Sequence, residues 1–315
     1  MIQDTFRSFD RTMKKIMPFI TPLGVIAGLL LAKYIKSYKF IVTPLFAFIT
    51  FVGAIGMNFS DFSHVLRKPR NIFISLVLSH VLVPVTVFLL GSLLFRNNPD
   101  IVTGFILLYS IPTAVVSYIW SQIFSGNGPL SLTLILIDTV LAPILTPLTV
   151  RILARSTVTI DTSGMIISLL WMVVLPVIIG VIVNTLSKGY VAKNVKLFLD
   201  PFTKIALFFV VSVNVAQIAD KVVINQTTLY VILVNILFCA GGFFFTSAII
   251  RLIHIEGPDR VTLTFSSSLR NISAALVLAI SFFPPESAIP VVIGILMQQI
   301  TASLCGTALF GQKKM

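Results

Sequence analysis

Long runs of apolar residues follow one another along this chain, and only short polar links separate them. A helix needs roughly 20 apolar residues to cross the hydrocarbon core of a bilayer. Hydrophobic residues make up 57% of the sequence and charged residues only 11%, whereas a soluble domain carries about 25% charged residues. The sequence therefore predicts an all-α integral membrane protein with ten transmembrane helices, at residues 17–35, 40–59, 71–94, 101–124, 128–150, 164–187, 201–219, 228–252, 260–283 and 288–310.

The positive charges lie in the short links and at the chain ends. The net charge is +12, but no soluble segment is long enough to gather it into a surface for nucleic acid. Lys and Arg are more frequent on the side that carries the N-terminus, which predicts both termini in the cytoplasm. We interpret the basic excess as topology in the plasma (inner) membrane and as contact with anionic membrane lipids.

An odd number of spans in each half predicts an inverted repeat. Ten spans divide into a first five-helix repeat (1–160) and a second (161–315), which inserts in the opposite orientation. The fourth span is interrupted at Ser110–Thr113, and its counterpart, the ninth, at Ser266–Asn271. Paired interruptions are typical of a substrate site near the bilayer midplane, where non-helical backbone lines a cavity.

Two charged residues lie deep in spans, Arg270 in the ninth and Asp138 in the fifth. A charge at a helix centre costs roughly 2.5–3.5 kcal/mol on insertion, so each requires a partner or a polar cavity. We expect the two side chains to face one another or to share one cavity, with Arg270 as an anion anchor and Asp138 as a proton carrier. The alternative is a static ion pair that locks the fifth span to the ninth.

Polar side chains follow the proline of the fourth span. Pro112 cannot donate a backbone hydrogen bond, so a carbonyl about one turn earlier is freed. Thr113 and Ser117 lie near it and are interpreted as a polar lining of the substrate cavity. The alternative is a proline kink whose hydroxyls bond back to their own helix.

Other polar residues in the apolar runs carry weaker predictions. His80, beside Ser79 in the third span, is either a proton relay or a packed residue. Gln298 and Gln299 in the tenth span are expected to bond across helices.

Nothing in the sequence points to an enzyme. It contains no Gly-rich phosphate loop, no nucleophile elbow and no His pair at helical spacing. Cys239 and Cys305 lie in apolar runs and are interpreted as packed thiols. We expect a protein without a cofactor, in which Na⁺ or H⁺ serves as a coupling ion.

Several strings, in order over nearly the whole chain, resemble the bile acid:sodium symporter family. They are Gly56–Phe62, Lys68–Arg70, Gly126-Asn127, Leu141–Pro147, Leu175–Gly180 and Arg270-Asn271. The resemblance implies ten helices in two inverted five-helix repeats, with broken helices 4 and 9 that cross. It also implies a core domain, formed by helices 3–5 and 8–10, that moves against a panel domain of helices 1, 2, 6 and 7.

The positions that bind sodium in that family are largely changed here. The resemblance aligns a glutamate of the family's ninth helix with Ser266, and Arg270 stands where a glutamine precedes Asn271. The other aligned positions are Ser117-Tyr118, Ser131, Ile135, and Ser79 with His80 adjacent. A guanidinium at such a site repels Na⁺ by direct Coulomb interaction, so these changes imply transport that does not depend on sodium.

The resulting prediction is a secondary transporter of a small organic anion that works by alternating access. The residues expected to bind the substrate are Pro112, Thr113, Ser117, Tyr118, Ser267, Ser268, Arg270 and Asn271. Those expected to couple the ion are Ser131, Asp138, Ser266, Ser79 and His80. One alternative is a sodium-coupled symporter of an organic anion, and another is a membrane sensor or structural protein in which Asp138 and Arg270 form a strut. The sequence leaves the identity of the substrate and the oligomeric state open.

Overall fold

The computed structural model describes residues 20, 22–57, 69–154, 161–221 and 225–311, and these residues are built of helices joined by short turns. The strand pairing within them is one isolated bridge, between Thr113 and Arg270. Seven helices in these ranges are long and apolar enough to cross a membrane, and two shorter apolar helices are Pro99–Ser110 and Ile272–Phe282. The prediction of an all-helical, multi-span membrane protein is therefore confirmed, whereas the ten crossings and the inverted repeat stay predictions.

We number the helices in chain order. They are α1 (22–30), α2 (Val42–Ala54), α3 (Pro69–Leu94), α4 (Pro99–Ser110), α5 (Val116–Ile123), α6 (Gly128–Leu153), α7 (Thr162–Leu186), α8 (Val191–Ile218), α9 (Gln226–Leu252), α10 (Gly257–Ser268), α11 (Ile272–Phe282) and α12 (Ala288–Phe310). Several of them begin where the sequence supplies a cap. Asn127 accepts a hydrogen bond from the backbone N of Leu130 at the start of α6, and Asn225 accepts one from Thr228 at the start of α9, as N-cap residues do.

The fourth span consists of two helices, α4 and α5. The backbone of Ile111 is extended, at φ −73° and ψ 154°, because the ring of a following proline disfavours helical conformation at the preceding residue. Helical structure resumes only at Val116. The interruption therefore begins at Ile111, one residue after the start of the predicted Ser110–Thr113, and Ser110 still belongs to α4.

The ninth span is also divided, into α10 and α11, but its interruption is shorter than the sequence predicts. Ser266–Ser268 belong to α10, because the backbone N of Leu269 still donates to Phe265 O at 3.0 Å and continues the helix through that turn. Leu269 is extended, at φ −97° and ψ 119°. The three serines therefore present their side chains from a regular helix end.

Packing divides the described residues into two compact units. One contains residues up to 57 and Ile167–Asp220; the other contains 69–166 and 221–311. In the first unit α2 packs against α7 and α8. Gly180 permits the approach of α7, because a Cβ there would lie 2.8 Å from the carbonyl oxygen of Phe51. Each unit draws on both predicted repeats, and the division into repeats at residue 160 stays a prediction.

In the second unit an aromatic cluster holds the end of α10. The ring of Phe265 lies 5.4 Å from that of Phe124 and 5.5 Å from that of Phe243, and aromatic pairs at such distances add about 0.5–1.5 kcal/mol beyond area burial. Gly306 of α12 makes room, because a Cβ there would lie 2.5 Å from the Phe124 ring. The cluster fixes the C-terminal end of α10, which directly precedes Leu269 and Arg270.

Candidate functional site

The two helix breaks meet and pair through their backbones. Thr113 and Arg270 form an antiparallel bridge. Backbone hydrogen bonds of 3.0 and 2.9 Å flank it, from Ala114 N to Leu269 O and from Asn271 N to Pro112 O. Helix ends leave backbone groups without partners in their own helix, and at membrane depth these groups must find partners in the protein. Each break therefore supplies hydrogen-bonding partners for backbone groups of the other break.

Side chains complete this crossing of the two breaks. The hydroxyl of Thr146, on α6, donates to Ser110 O at 2.8 Å, which gives a partner to a carbonyl at the end of α4. Asn271 caps α11 by accepting a hydrogen bond from Ala274 N at 3.4 Å. The first is a long-range contact, and sequence reasoning did not single out Thr146.

Gln298 of α12 holds the backbone of Arg270 from both sides. Its Oε1 accepts from Arg270 N at 2.8 Å, and its Nε2 donates to Arg270 O at 3.1 Å. The neighbouring Gln299 accepts from Trp120 Nε1 at 2.8 Å. Both glutamines bond across helices as expected. The special position of Gln298 was missed, because an amide in an apolar span does not reveal which backbone it will meet.

Replacing Gln298 with Leu should destabilise the crossing. The substitution leaves the N–H of Arg270 buried without the partner that Gln298 supplies, which costs about 1–3 kcal/mol, whereas the carbonyl keeps its hydrogen bond from Ile272 N at 2.9 Å. We expect Gln298→Leu to lower the thermal unfolding temperature of the detergent-purified protein clearly, as measured by intrinsic fluorescence. Gln299→Leu is the matched control, with a smaller expected loss because Trp120 is only partly buried. Equal losses in the two variants would contradict this role of Gln298.

The guanidinium of Arg270 is buried and only partly hydrogen-bonded. The residue is 1% exposed, and its Nη2 donates to Ser267 O at 2.7 Å and to Ser79 O at 3.2 Å. Its Nε and Nη1 have no hydrogen-bonding partner within the described ranges. A guanidinium has five donors and no acceptor, and its fork matches two oxygens of a carboxylate or a similar anion. The site therefore holds a fixed positive charge, and the Nε and Nη1 hydrogens of Arg270 have no partner in the described residues.

Asp138 binds His80 and Thr113 rather than Arg270. Its Oδ1 lies 2.5 Å from His80 Nε2, and its Oδ2 accepts from Thr113 N at 2.7 Å and lies 2.6 Å from Thr113 Oγ1. Among the residues described, Arg270 forms no ion pair with Asp138. Of the two expected arrangements, the direct pair is therefore not formed in the described residues, because Thr113 N, which the broken helix exposes, binds the carboxylate; the shared cavity stays a prediction. Thr113 links the two residues indirectly, because it binds the Asp138 carboxylate and pairs with the backbone of Arg270.

A π-helical turn of α3, Leu78–Leu82, delivers both of its polar groups to this site. Pro84 has no N–H, so the carbonyl of His80 loses its helical partner, and the Thr149 hydroxyl donates to it at 3.3 Å. Turns of this kind re-aim side chains and are frequent at functional sites. Here the turn places Ser79 O against Arg270 and the imidazole of His80 against Asp138.

The structure brings most of the other predicted residues close to the crossing, with different degrees of engagement. Ser266 O lies 2.8 Å from Thr113 Oγ1, and because this hydroxyl has a single hydrogen it donates either to Ser266 O or to Asp138 Oδ2. Ser268 bonds to Thr246 at 3.0 Å. The buried hydroxyls without a hydrogen-bonding partner in the described residues include those of Ser79, Ser117, Ser131, Ser266 and Ser267.

Like that of Ser268, the side chains of Ser117, Tyr118 and Ser131 have no hydrogen bond to the crossing within the described ranges. Ser117 and the partly buried Tyr118 lie in the first turn of α5. Ser131 lies two helical turns before Asp138, about 10 Å along α6. The binding and coupling roles of all these residues stay predictions.

A second polar cluster, at the start of α10, was not anticipated from the sequence. The carboxylate of Asp259 accepts from Asn71 Nδ2 at 2.9 Å and from Asn127 Nδ2 at 2.7 Å. Thr262, one turn further on, bonds to Ser121 at 2.9 Å. The cluster joins α3, α5 and the start of α6 to α10. In the sequence these residues lie at span ends, where polar residues are ordinary, so no pattern distinguished them.

Comparison with known proteins places the chain among membrane transport proteins. A profile of the Sodium Bile acid symporter family matches residues 43–225. The "Uncharacterized protein YbaS" of Bacillus subtilis (strain 168) is 37% identical over 291 residues, which are 92% of this chain and 95% of that protein. The "Uncharacterized sodium-dependent transporter YocS" of the same organism is 26% identical over 87% of this chain and 83% of its own length. The "Probable sodium/metabolite cotransporter BASS1, chloroplastic" of Arabidopsis thaliana is 27% identical over 90% of this chain and 71% of its own length.

Proposed function

This chain belongs to the Sodium Bile acid symporter family, and on that premise we propose that it carries a small organic anion whose negative charge is held by Arg270. The resemblance stated from the sequence is confirmed. The family is one of transporters rather than enzymes, and neither its description nor the names of the relatives indicate a cofactor. The chain is thus a secondary transporter of a small solute. The anion, the membrane it crosses and the ion coupled to it belong to the proposal.

One observation carries the proposal: a fully buried guanidinium keeps two nitrogens without a partner, and has no carboxylate in direct contact, among the residues that the structure describes. A buried cation is costly unless it is paired. A carboxylate or sulfonate that entered beside Nε and Nη1 would form charge-assisted bonds, which are about twice as strong as neutral ones. Anion binding therefore offsets a cost already present in the empty protein.

The same chemistry supports transport without sodium. A hard cation requires converging oxygens, usually with a carboxylate among them. Both oxygens of Asp138 are already bound, and Arg270 is close enough to interact electrostatically with this carboxylate. The described residues contain no group of three or more His, Cys, Asp or Glu side chains that could hold a metal. Arg270 supplies fixed positive charge in place of a mobile ion.

The competing hypothesis is a sodium-coupled symporter of an organic anion. The names of two relatives describe those proteins as sodium-dependent or as sodium cotransporters, and the buried serine hydroxyls without partners are oxygens that could contact Na⁺. The sensor or structural hypothesis has lost its main support, because the described residues contain no direct Asp138–Arg270 strut.

Transport without sodium is tested with purified protein in liposomes. A thermal-shift screen of taurocholate, pyruvate and citrate selects the anion that stabilises the protein most, and uptake of its labelled form is then measured. We expect the initial rate to stay unchanged when choline replaces Na⁺ on both sides. Uptake that rises steeply and saturably with a sodium gradient would favour the competing hypothesis. A lack of both stabilisation and uptake for every anion in a wider set of carboxylates, sulfonates and phosphates would contradict anion transport itself.

A further inference from the structure

The contact between His80 and Asp138 is not needed to bind an anion, yet it lies at the centre of the site. Both residues are buried, at 5% and 3% exposure. Thr113 N donates to Oδ2 of the carboxylate, and the Thr113 hydroxyl lies 2.6 Å from the same oxygen, which leaves Oδ1 for His80 Nε2. An ionised carboxylate only accepts hydrogen bonds, so Nε2 carries the hydrogen. The other ring nitrogen, Nδ1, is buried without a partner in the described part of the chain.

The charges around this pair balance in a specific way. With a neutral imidazole, the site contains the Arg270 cation and the Asp138 anion, and its net charge is zero. Adding a monoanion alone gives the buried site a net negative charge, which is costly in a low-dielectric environment. A proton bonded to Nδ1 makes an imidazolium and a net charge of +1, and the monoanion then returns the total to zero.

Among the described residues packed against the pair, no other charged group disturbs this balance. The π-helical turn that carries His80 packs against the rest of α3 and against α4, α6 and α10. From α4 comes Tyr109, a neutral phenol that donates to Cys239 Sγ at 3.3 Å and lies within electrostatic range of Arg270. From α6 comes Asp138 itself, and from the end of α10 comes Arg270. The ionised groups at the helix ends, such as Asp259, are engaged elsewhere.

We infer that His80 and Asp138 form a proton-binding site that is loaded together with the substrate, so that the protein is an electroneutral symporter of a proton and a monoanion. This inference rests on the proposed function, because the charge of the anion is what links the two ligands. The proton adds to His80 Nδ1 while Nε2–H stays hydrogen-bonded to Asp138. Release of this proton on the other side of the membrane restores the neutral imidazole. By linkage, the anion strengthens proton binding by the same factor by which the proton strengthens anion binding.

The inference predicts uptake driven by a pH gradient alone. Proteoliposomes with an acidic outside and no sodium should accumulate labelled taurocholate, or whichever anion the thermal-shift screen selects. Taurocholate is well suited, because its sulfonate stays ionised and cannot cross the bilayer as a neutral acid. Nigericin with equal K⁺ on both sides should abolish the accumulation. A K⁺ diffusion potential set with valinomycin should leave monoanion uptake unchanged, because the transported complex is neutral.

Asp138→Asn separates coupling from binding. The amide keeps the shape of the carboxylate and an acceptor for Thr113 N, but the site then has a net charge of +1 without any proton. We expect the variant to exchange labelled for unlabelled anion in counterflow, with a rate that no longer changes between pH 5.5 and 8. Its accumulation under a pH gradient should fall at least about tenfold, to the level of protein-free liposomes.

His80→Gln tests the other half of the pair. Glutamine can still donate to Asp138 but cannot take up a proton, so the acceleration by an acidic outside should be lost. His254→Gln is the matched control, because His254 is exposed at the end of α9 and its replacement should keep the full pH response. A wild-type pH response in His80→Gln or Asp138→Asn would overturn the inference. So would loss of both counterflow and accumulation in a thermally stable Asp138→Asn variant.

The failure of this inference can be told apart from failure of the proposed function. If the wild-type protein shows counterflow of an anion but a pH gradient does not drive accumulation, anion transport is supported and proton coupling is contradicted. Accumulation driven by a sodium gradient would also support anion transport and contradict proton coupling, and it would assign the coupling to Na⁺. Absence of counterflow for every anion tested would contradict the proposed function.

Discussion

Arg270→Ala is expected to reduce the affinity for the transported anion about a hundredfold or more, because removing one partner of a buried charged contact costs about 3–5 kcal/mol and each 1.4 kcal/mol is about tenfold. Within the described residues, the variant loses the one cation at the crossing, together with Nε and Nη1, whose hydrogens have no partner there. Affinity is measured by calorimetry on the purified protein, and transport by counterflow.

Companion variants separate loss of the anion contact from loss of the fold. Arg270→Lys keeps the charge but not the planar fork, so its affinity should lie between those of the wild type and Arg270→Ala. Arg260→Ala is the matched control on the same span, because that arginine contacts Ser247 and the ring of Phe310 rather than the crossing. It should bind the anion like the wild type. Unchanged binding in a well-folded Arg270→Ala variant would refute the anchor.

Gly104→Ala is expected to cause the largest loss of stability among conservative substitutions considered for this chain. A Cβ at Gly104 would lie 2.1 Å from the carbonyl oxygen of Ser287 and 2.9 Å from its carbonyl carbon. These are backbone atoms, so α4 must move away from the turn before α12. Overpacking of this kind costs about 1–3 kcal/mol and occasionally more. Because α4 leads directly into the crossing, anion binding should weaken along with the thermal unfolding temperature.

The control for this prediction is another glycine-to-alanine change. Gly241 lies in α9 with nothing within 4 Å of the position of a Cβ. Alanine favours helix over glycine by about 0.8–1 kcal/mol, so Gly241→Ala should leave the unfolding temperature unchanged or raise it. Both variants are compared by thermal unfolding in the same detergent. Equal behaviour of the two would show that the close approach at Gly104 is not what stabilises this part of the fold.

Much of the fold follows from local properties of the sequence. Apolar runs long enough for a bilayer predict membrane helices, because an unpaired backbone is too costly in hydrocarbon. Pro112 predicts the break in the fourth span for a reason contained in its own ring. The polar run Ser266–Asn271 predicted the second break but overestimated its length, since serines tolerate a helix end as readily as a loop.

The partners of the charged residues could not be predicted in the same way. Composition indicated that Arg270 and Asp138 each required a partner, and the simplest hypothesis was that they faced one another or shared a polar cavity. In the structure Asp138 is hydrogen-bonded to His80 and Thr113, and the backbone of Arg270 is hydrogen-bonded to Gln298. These partners come from helices distant in sequence, and one of them is presented by a π-helical turn that no residue pattern announced.

The sequence by itself thus determined which residues need stabilisation inside a membrane: one arginine, one carboxylate and two interrupted helices. Those requirements are local. The hydrocarbon of a membrane offers no hydrogen-bonding partners to a charged or unpaired group, and proline lacks the backbone N–H that a helix needs. Only the tertiary structure decided which group satisfies each of them. The backbone N–H of Thr113, exposed by the helix break, binds Asp138 in place of the guanidinium, and in the described residues Arg270 keeps unused donors because α3 and α10 supply partners for only one of its nitrogens.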